Sequence, residues 1–301
     1  GADMTKVLLA GGAGYVGTRL ANSLNKSGHK VTVVDKFWFG NYLDIGIECI
    51  ERDLLELKQK DLQGFDAVVF LAGLSNDPMA NFDPAGNFIE NGAAPAYLAF
   101  TAKAAGVPRY VYASSCSIYG FTDNLEMDET CDSSPQYPYG ISKLQGEAGI
   151  MVLRDDNFSP ICLRKGTVGG WSPRMRLDLV VNAMTKSALT QNELVVHNPN
   201  LWRPLVDIRD VTQAYEAAIC ADLSISGIFN ISYENYTIGS LAKEIKAELQ
   251  EHNIDVNIET QSRQDVRNYK VSNLKAKKYL NFKPIYGPRE SVKEIIKLKR
   301  K

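Results

Sequence analysis

Long apolar runs are missing from this 301-residue chain. No stretch of 18 or more apolar residues occurs, so no membrane-spanning helix is expected. Charge imbalance is missing too. Lys and Arg number 34 against 35 Asp and Glu, a formal net charge of -1, which gives bulk electrostatics no hold on nucleic acid or an anionic membrane. Histidine is scarce, with His29, His197 and His252 far apart in sequence, and nothing supports a metal centre. The five cysteines (Cys49, Cys116, Cys131, Cys162, Cys220) are scattered, odd in number and without paired spacing. That argues against a disulfide framework or zinc site and for a reducing compartment. Internal repeats and low-complexity linkers are absent. The first residues lack a signal-peptide layout, "GAD" ahead of Met4 reads as a cloning remnant, and a cytoplasmic location is expected. The closing "KLKRK" reads as a solvated helix end.

What is present is ordinary globular material, 45% hydrophobic and 23% charged, enough for one large α/β domain with a smaller partner. "KVLLAGGAGYVG" begins as an apolar strand and turns through glycines into a helix on which Val16, Leu20 and Leu24 recur. "KVTVVD", "DAVVFLAG" and "RYVYASS" are further short apolar runs, with the alanine-rich helix "AAPAYLAFTAKAAG" before the last. Strands alternating with helices predict βαβ units, a parallel sheet and right-handed crossovers. The expected fold is therefore a doubly wound parallel sheet of the Rossmann type. It is assigned to residues 4–165 with a return segment at about 201–222. Past Arg164 the texture turns loop-like in "GTVGGWSPRMR" and "HNPNLWRP". Residues 166–200 and 223–301 are expected to form a smaller lobe, with a substrate cleft where the two parts meet.

Gly11, Gly14 and Gly17 form G-x-x-G-x-x-G at a strand-to-helix turn. Glycines there permit a tight turn and let backbone N–H groups approach a pyrophosphate. Asp35 closes the next strand at the spacing of an acid that binds ribose hydroxyls. Its carboxylate accepts from a 2′-OH and repels a 2′-phosphate, so NAD is preferred over NADP, although Lys36 beside it could receive that phosphate. "YPYGISK" supplies Tyr139 and Lys143 at i, i+4, one face of a helix. A lone Y-x-x-x-K is a surface Tyr over a Lys stem. Joined to a dinucleotide loop it becomes a reactive pair, because a nearby ammonium favours the phenolate of a group that otherwise titrates near pH 10.

With "GGAGYVG", Asp35, "RDL", "FLAGLS", Asn91, "SSCSIYG" and "YPYGISK" in this order, the chain resembles an extended short-chain dehydrogenase/reductase of the nucleotide-sugar epimerase/dehydratase group. Weaker similarity continues through "WRPLVDIRD" and "DVRNYKVS". The resemblance implies Ser115, Tyr139 and Lys143 as catalytic residues, Ser115 hydrogen-bonding the sugar oxygen whose proton Tyr139 removes. It implies that Tyr15, Val16, Asp53, Leu54, Leu71, Ala72, Gly73 and Asn91 also contact NAD. Ser75, Thr167, Asn182, Arg203 and Arg267 are the implied contacts to a nucleotide-diphosphate sugar, with Arg203 and Arg267 as a phosphate clamp, Asn182 as a reader of the base, and Arg174 and Arg176 as further candidates near the cleft. Sugar 4,6-dehydratases of this group follow the catalytic hydroxyl with Asp-Glu. Here Cys116 and Ser117 follow, which speaks against dehydration, and Cys116 reads as packing. A 4-epimerase, a dehydrogenase or 4-ketoreductase, and a non-catalytic dinucleotide-binding regulator stay open, the first preferred. A homodimer through the helices of Tyr139 and "AAPAYLAF" is implied.

Overall fold

The computed structural model describes residues 5–73, 83–265 and 267–299. Among these the strands are β1 (Lys6–Ala10), β2 (Lys30–Asp35), β3 (Glu48–Glu51), β4 (Ala67–Phe70), β5 (Arg109–Ser115), β6 (Phe121–Met127), β7 (Ser159–Lys165), β8 (Thr167–Gly169), β9 (Glu193–His197), β10 (Trp202–Asp207), β11 (Gly227–Ile231), β12 (Glu234–Thr237), β13 (Asn257–Gln261) and β14 (Asn268–Val271). The longer helices are α1 (Tyr15–Lys26), α2 (Ala94–Ala104), α3 (Pro138–Met151), α4 (Val180–Gln191), α5 (Ile208–Cys220), α6 (Ile238–Glu251) and α7 (Pro288–Lys299).

Seven strands form one sheet in the order β11-β7-β5-β4-β1-β2-β3, and every neighbouring pair is parallel. Parallel strands covered on both faces need side chains that are apolar on both. In β1, Val7 and Leu9 enter the layer under α1 and α5, while Leu8 and Ala10 enter the layer under α2, as the two-residue period of a strand requires. The chain runs from β1 to β2 and β3 on one side, then crosses to β4 on the other. The crevice at the carboxyl ends of β1 and β4 is thus a switch point, where doubly wound sheets bind ligands.

The remaining strands build the second lobe as small sheets, β12-β10-β8, β13-β9 and β14-β6. A separate apolar cluster of Val181, Met184, Leu194, Leu205, Leu241, Ile245 and Val292 fills it. Two parts of the expected division differ: β6 lies within residues 4–165 yet pairs with β14 of the second lobe, and the return segment shifts. The segment that returns to the main sheet is α5 through β11, residues 208–231, rather than 201–222. Trp202–Asp207 pairs instead with β12 and β8, whereas β11 hydrogen-bonds β7.

The first turn contrasts two glycines. A Cβ on Gly17 would sit 2.7 Å from the backbone carbon and oxygen of Gly12, while one on Gly14, whose φ is -84°, meets nothing within 4 Å. Gly17→Ala should therefore lower stability by about 1–3 kcal/mol through overpacking, and Gly14→Ala should leave it near wild type. Thermal unfolding of the two variants checks this, and equal melting temperatures would refute it.

Candidate active site

The glycine turn is stitched to its neighbours by backbone. Gly11, at φ +81°, donates its N–H to the Val34 carbonyl at 2.8 Å. Asp35 accepts from the Ala13 N–H at 3.1 Å with one carboxylate oxygen and from the Phe37 N–H at 2.9 Å with the other. Its acid thus orients the loop, and each oxygen keeps lone-pair capacity for a ribose hydroxyl. Lys36 does not turn toward Asp35. Its ammonium lies 3.4 Å from Asp53 and 4.8 Å from the Trp38 ring centroid. Asp53 also accepts from the Leu55 N–H at 2.9 Å, and that bond, with Lys36 behind it, holds the carboxyl below its usual range. Leu54, Leu71 and Ala72 are half-buried beside the crevice strands. Gly73 stands at φ +124°, where a Cβ would strike the side-chain oxygen of the fully buried Asn91. Ser75 lies outside the described residues. The open space over Gly14, the helix N-terminus at Tyr15 and the acid of Asp35 together fit a dinucleotide.

A cavity of about 840 Å³ runs from this turn to the second lobe, with Ser115, Tyr139, Lys165, Thr167, Arg203 and Arg267 on its walls. Ser115 ends β5 and caps the following turn, its Oγ accepting the Ser117 N–H at 3.1 Å and lying 2.8 Å from Ser117 Oγ. Tyr139 stands in the first turn of α3, which Pro138 opens as a residue suited to a first helical position. Lys143 follows one turn later, 5% exposed, and its ammonium donates to the Ala113 carbonyl at 2.8 Å with the Tyr139 ring centroid 5.7 Å away. Burial depresses its pKa to about 7; nearby Lys165 adds to the depression and Glu147 opposes it.

Behind this face lies a polar network that single-residue motifs did not reveal. Arg164 of β7 makes a two-pronged ion pair with Glu147 of α3 at 2.7 and 2.9 Å, both side chains buried. Ser114 donates to the same carboxylate, and Arg164 also donates to the Tyr119 hydroxyl at 3.0 Å. Cys116 is fully buried, its Sγ 3.2 Å from the Arg164 carbonyl, and desolvation pushes its thiol far up. It is a packing residue with no part in proton transfer.

On the opposite wall, Arg203 and Arg267 converge on Asp265. Arg203 donates to it at 3.2 Å, and Arg267 pairs with it at 3.0 and 3.1 Å. Arg203 also donates to the Arg267 carbonyl. Asn182 corrects the expectation of a base reader. It is 1% exposed, accepts from the Gly170 N–H at 2.9 Å, and donates to the Tyr15 hydroxyl at 3.2 Å and the Arg176 carbonyl at 2.9 Å. Its amide is consumed by protein, tying α4 to the glycine-turn helix. Arg174 stacks on Phe39 at 4.2 Å, away from the cavity lining, while Arg176 lines it and pairs with Asp178. Lys165 and Asp265 were missed by motif reading. Their signal was slight: a lysine ending an otherwise apolar strand, and an acid two residues before Arg267.

A doubly wound sheet with a glycine turn at its switch point and a Tyr–Lys pair at its carboxyl edge defines a Rossmann-type protein of the extended short-chain dehydrogenase/reductase class. The chain belongs to the NAD dependent epimerase/dehydratase family, whose family model matches residues 7–232. Among curated relatives it is 29% identical over 191 residues to a probable UDP-arabinose 4-epimerase 3 of Arabidopsis thaliana (58% of this chain, 46% of that protein). It is 32% identical over 143 residues to a UDP-glucose 4-epimerase of Corynebacterium glutamicum (46% and 44%). The matches span about half the length of these relatives. Among solved structures, MoeE5 in complex with UDP-glucuronic acid and NAD superposes with a TM-score of 0.85 at 25% identity, covering 98% of this chain and 99% of that one.

The Lys143 shift has a definite sign. Its ordinary value of 10.5 applies unfolded and about 7 folded, so between these the unfolded chain binds the extra proton and stability rises with pH. Below about pH 7 the charge penalty is in full force; it falls from there and is gone only above 10.5. Lys143→Met removes the titration. Urea denaturation across pH 6 to 10, with no dinucleotide added, should show the variant's advantage over wild type narrowing as pH rises. A pH-independent gap would contradict it.

Proposed function

We propose that the protein is an NAD-dependent nucleotide-sugar 4-epimerase. The observation that carries this reading is one cavity lined by Ser115, Tyr139, Arg203 and Arg267, with the Lys143 ammonium 5.7 Å from the Tyr139 ring centroid. The relatives' names support the choice of a 4-epimerase. NAD, when bound, supplies an acceptor and donor for hydride. Gly14 and the α1 N-terminus would hold its pyrophosphate, Asp35 its adenine ribose, and Lys143 its nicotinamide ribose. The Arg203 and Arg267 guanidinia, drawn together by Asp265, hold the diphosphate of the sugar in their planar fork geometry. Ser115 donates to the sugar hydroxyl oxygen and fixes its angle. Tyr139 would take that hydroxyl's proton during oxidation of the carbinol and give it back during reduction of the keto sugar. Neither neighbour of Ser115 is a carboxylic acid, so the chain lacks a group there to eliminate water. A dehydrogenase or 4-ketoreductase would use the same residues and differ only in releasing the keto sugar.

The protein is proposed to work as a homodimer in a reducing, cytoplasmic setting. Tyr97 and Phe100 on α2 are 37% and 62% exposed and Ile89 ahead of them 50%, an apolar face beside α3 that a second copy would cover. All five cysteines are unpaired. Among the described residues no helix is long and apolar enough to cross a membrane.

Tyr139→Phe should lower turnover by about 10²–10⁴-fold while nucleotide-sugar binding is largely kept. Proton NMR on a panel of UDP, GDP, CDP and dTDP sugars reads the epimer formed, and conversion of none by wild type would count against the assignment. A stoichiometric rise in reduced-nicotinamide absorbance would select the dehydrogenase instead.

A further inference from the structure

The reaction chemistry leaves Lys165 unused. Lys165 ends β7 and pairs in register with Ser115, the residue that ends β5. Adjacent strands lie about 4.8 Å apart, so Lys165 stands at the level of the reacting carbinol. It lines the cavity, yet its ammonium makes no hydrogen bond or ion pair with any described residue, its recorded contact being the Tyr215 ring at 5.6 Å. Of the cavity's arginines, Arg176 is answered by Asp178, and Arg203 and Arg267 by Asp265. The Tyr215 ring beside it on α5 is fully buried and outside the cavity lining.

A half-buried ammonium without a counter-charge is unfavourable, and an anionic group entering the cavity relieves it. We infer that Lys165 forms a carboxylate subsite beside Ser115 in the cavity, so that the enzyme selects nucleotide sugars whose ring bears a carboxylate, as uronic acids do. This rests on the epimerase reading and names its substrate class. Burial and the proximity of Arg176 depress the Lys165 pKa to about 8, which leaves the group mostly cationic at neutral pH and poised to gain a proton fully when an anion arrives. The diphosphate is a poor occupant, because Arg203 and Arg267 already converge on another wall. The remaining anionic source is the cofactor pyrophosphate, and it predicts a different result.

The test is titration calorimetry of wild type, Lys165→Met and Lys165→Arg with NAD alone, then with the UDP and dTDP forms of glucuronic acid and of glucose on the NAD-loaded protein. Wild type should bind one glucuronic form at least tenfold more tightly than the matching glucose form. Lys165→Met should erase that preference while glucose binding changes less than twofold, and Lys165→Arg should keep most of it. NAD affinity should be the same in all three. Because removing an unanswered charge relieves strain, Lys165→Met should melt no lower than wild type. Equal loss for both sugars, a tenfold loss of NAD affinity with the preference intact, no preference in wild type, or a lower melting temperature would each overturn the subsite. Since the readout is binding, a uronate preference without epimer formation would sink the epimerase reading alone. Epimer formation without the preference would sink the subsite alone.

Discussion

The buried ion pair between Glu147 and Arg164 is the constraint on which the reaction centre rests. Neither charge could be left alone at that depth, since an uncompensated buried ion costs several kcal/mol. Pairing in the two-pronged form satisfies both and fixes angle as well as distance. The consequence is geometric. Glu147 lies one helical turn past Lys143 and two past Tyr139, so pinning it to β7 sets the rotation and height of α3 over the sheet. Ser114 on β5 joins through its hydroxyl, and Tyr119 extends the network to Asn230 of β11 at 2.7 Å. One carboxylate thereby fixes where a phenol and an ammonium stand relative to the end of β5.

The electrostatics of the centre follow from that placement. Lys143 is driven into a site where its nearest polar partner is a backbone carbonyl, and Lys165 approaches from the next strand. Burial and the neighbouring Lys165 loosen the proton on Lys143, while burial and Arg176 loosen that on Lys165. An arrangement of this kind is unfavourable for the protein alone and becomes favourable when anionic groups enter, which is how binding energy is directed to a reaction site. The fold supports that cost elsewhere, in the continuous apolar layers on both faces of the sheet.

On the far wall the logic is reversed. Asp265 holds Arg203 and Arg267 together in the absence of a diphosphate, at a part-exposed position where the ion pairs are weak. Both guanidinia meet at one acid, which sets their separation before any ligand arrives. Asn182, which stood in the sequence as a base contact, serves this wall from behind by tying α4 to Tyr15 and Gly170.

Much of the scaffold was legible from residues alone because its signals are local. Apolar runs of strand length, the glycine spacing after β1, Asp35 at the end of β2 and the i, i+4 spacing of Tyr139 and Lys143 all follow from the period of a strand, a turn or a helix. The same reading spoke against dehydration, since the residues next to Ser115 are covalent neighbours. What tertiary structure decided has no period. That β11 rather than β10 completes the main sheet, that Asp265 is shared by two arginines 64 residues apart in sequence, that Asn182 faces inward and that Lys165 stands beside Ser115 without a counter-charge are each pairings of single polar residues across long loops. Chain connectivity alone does not specify such pairings, because a lone polar residue meets its partner only after the apolar layers have chosen which surfaces touch.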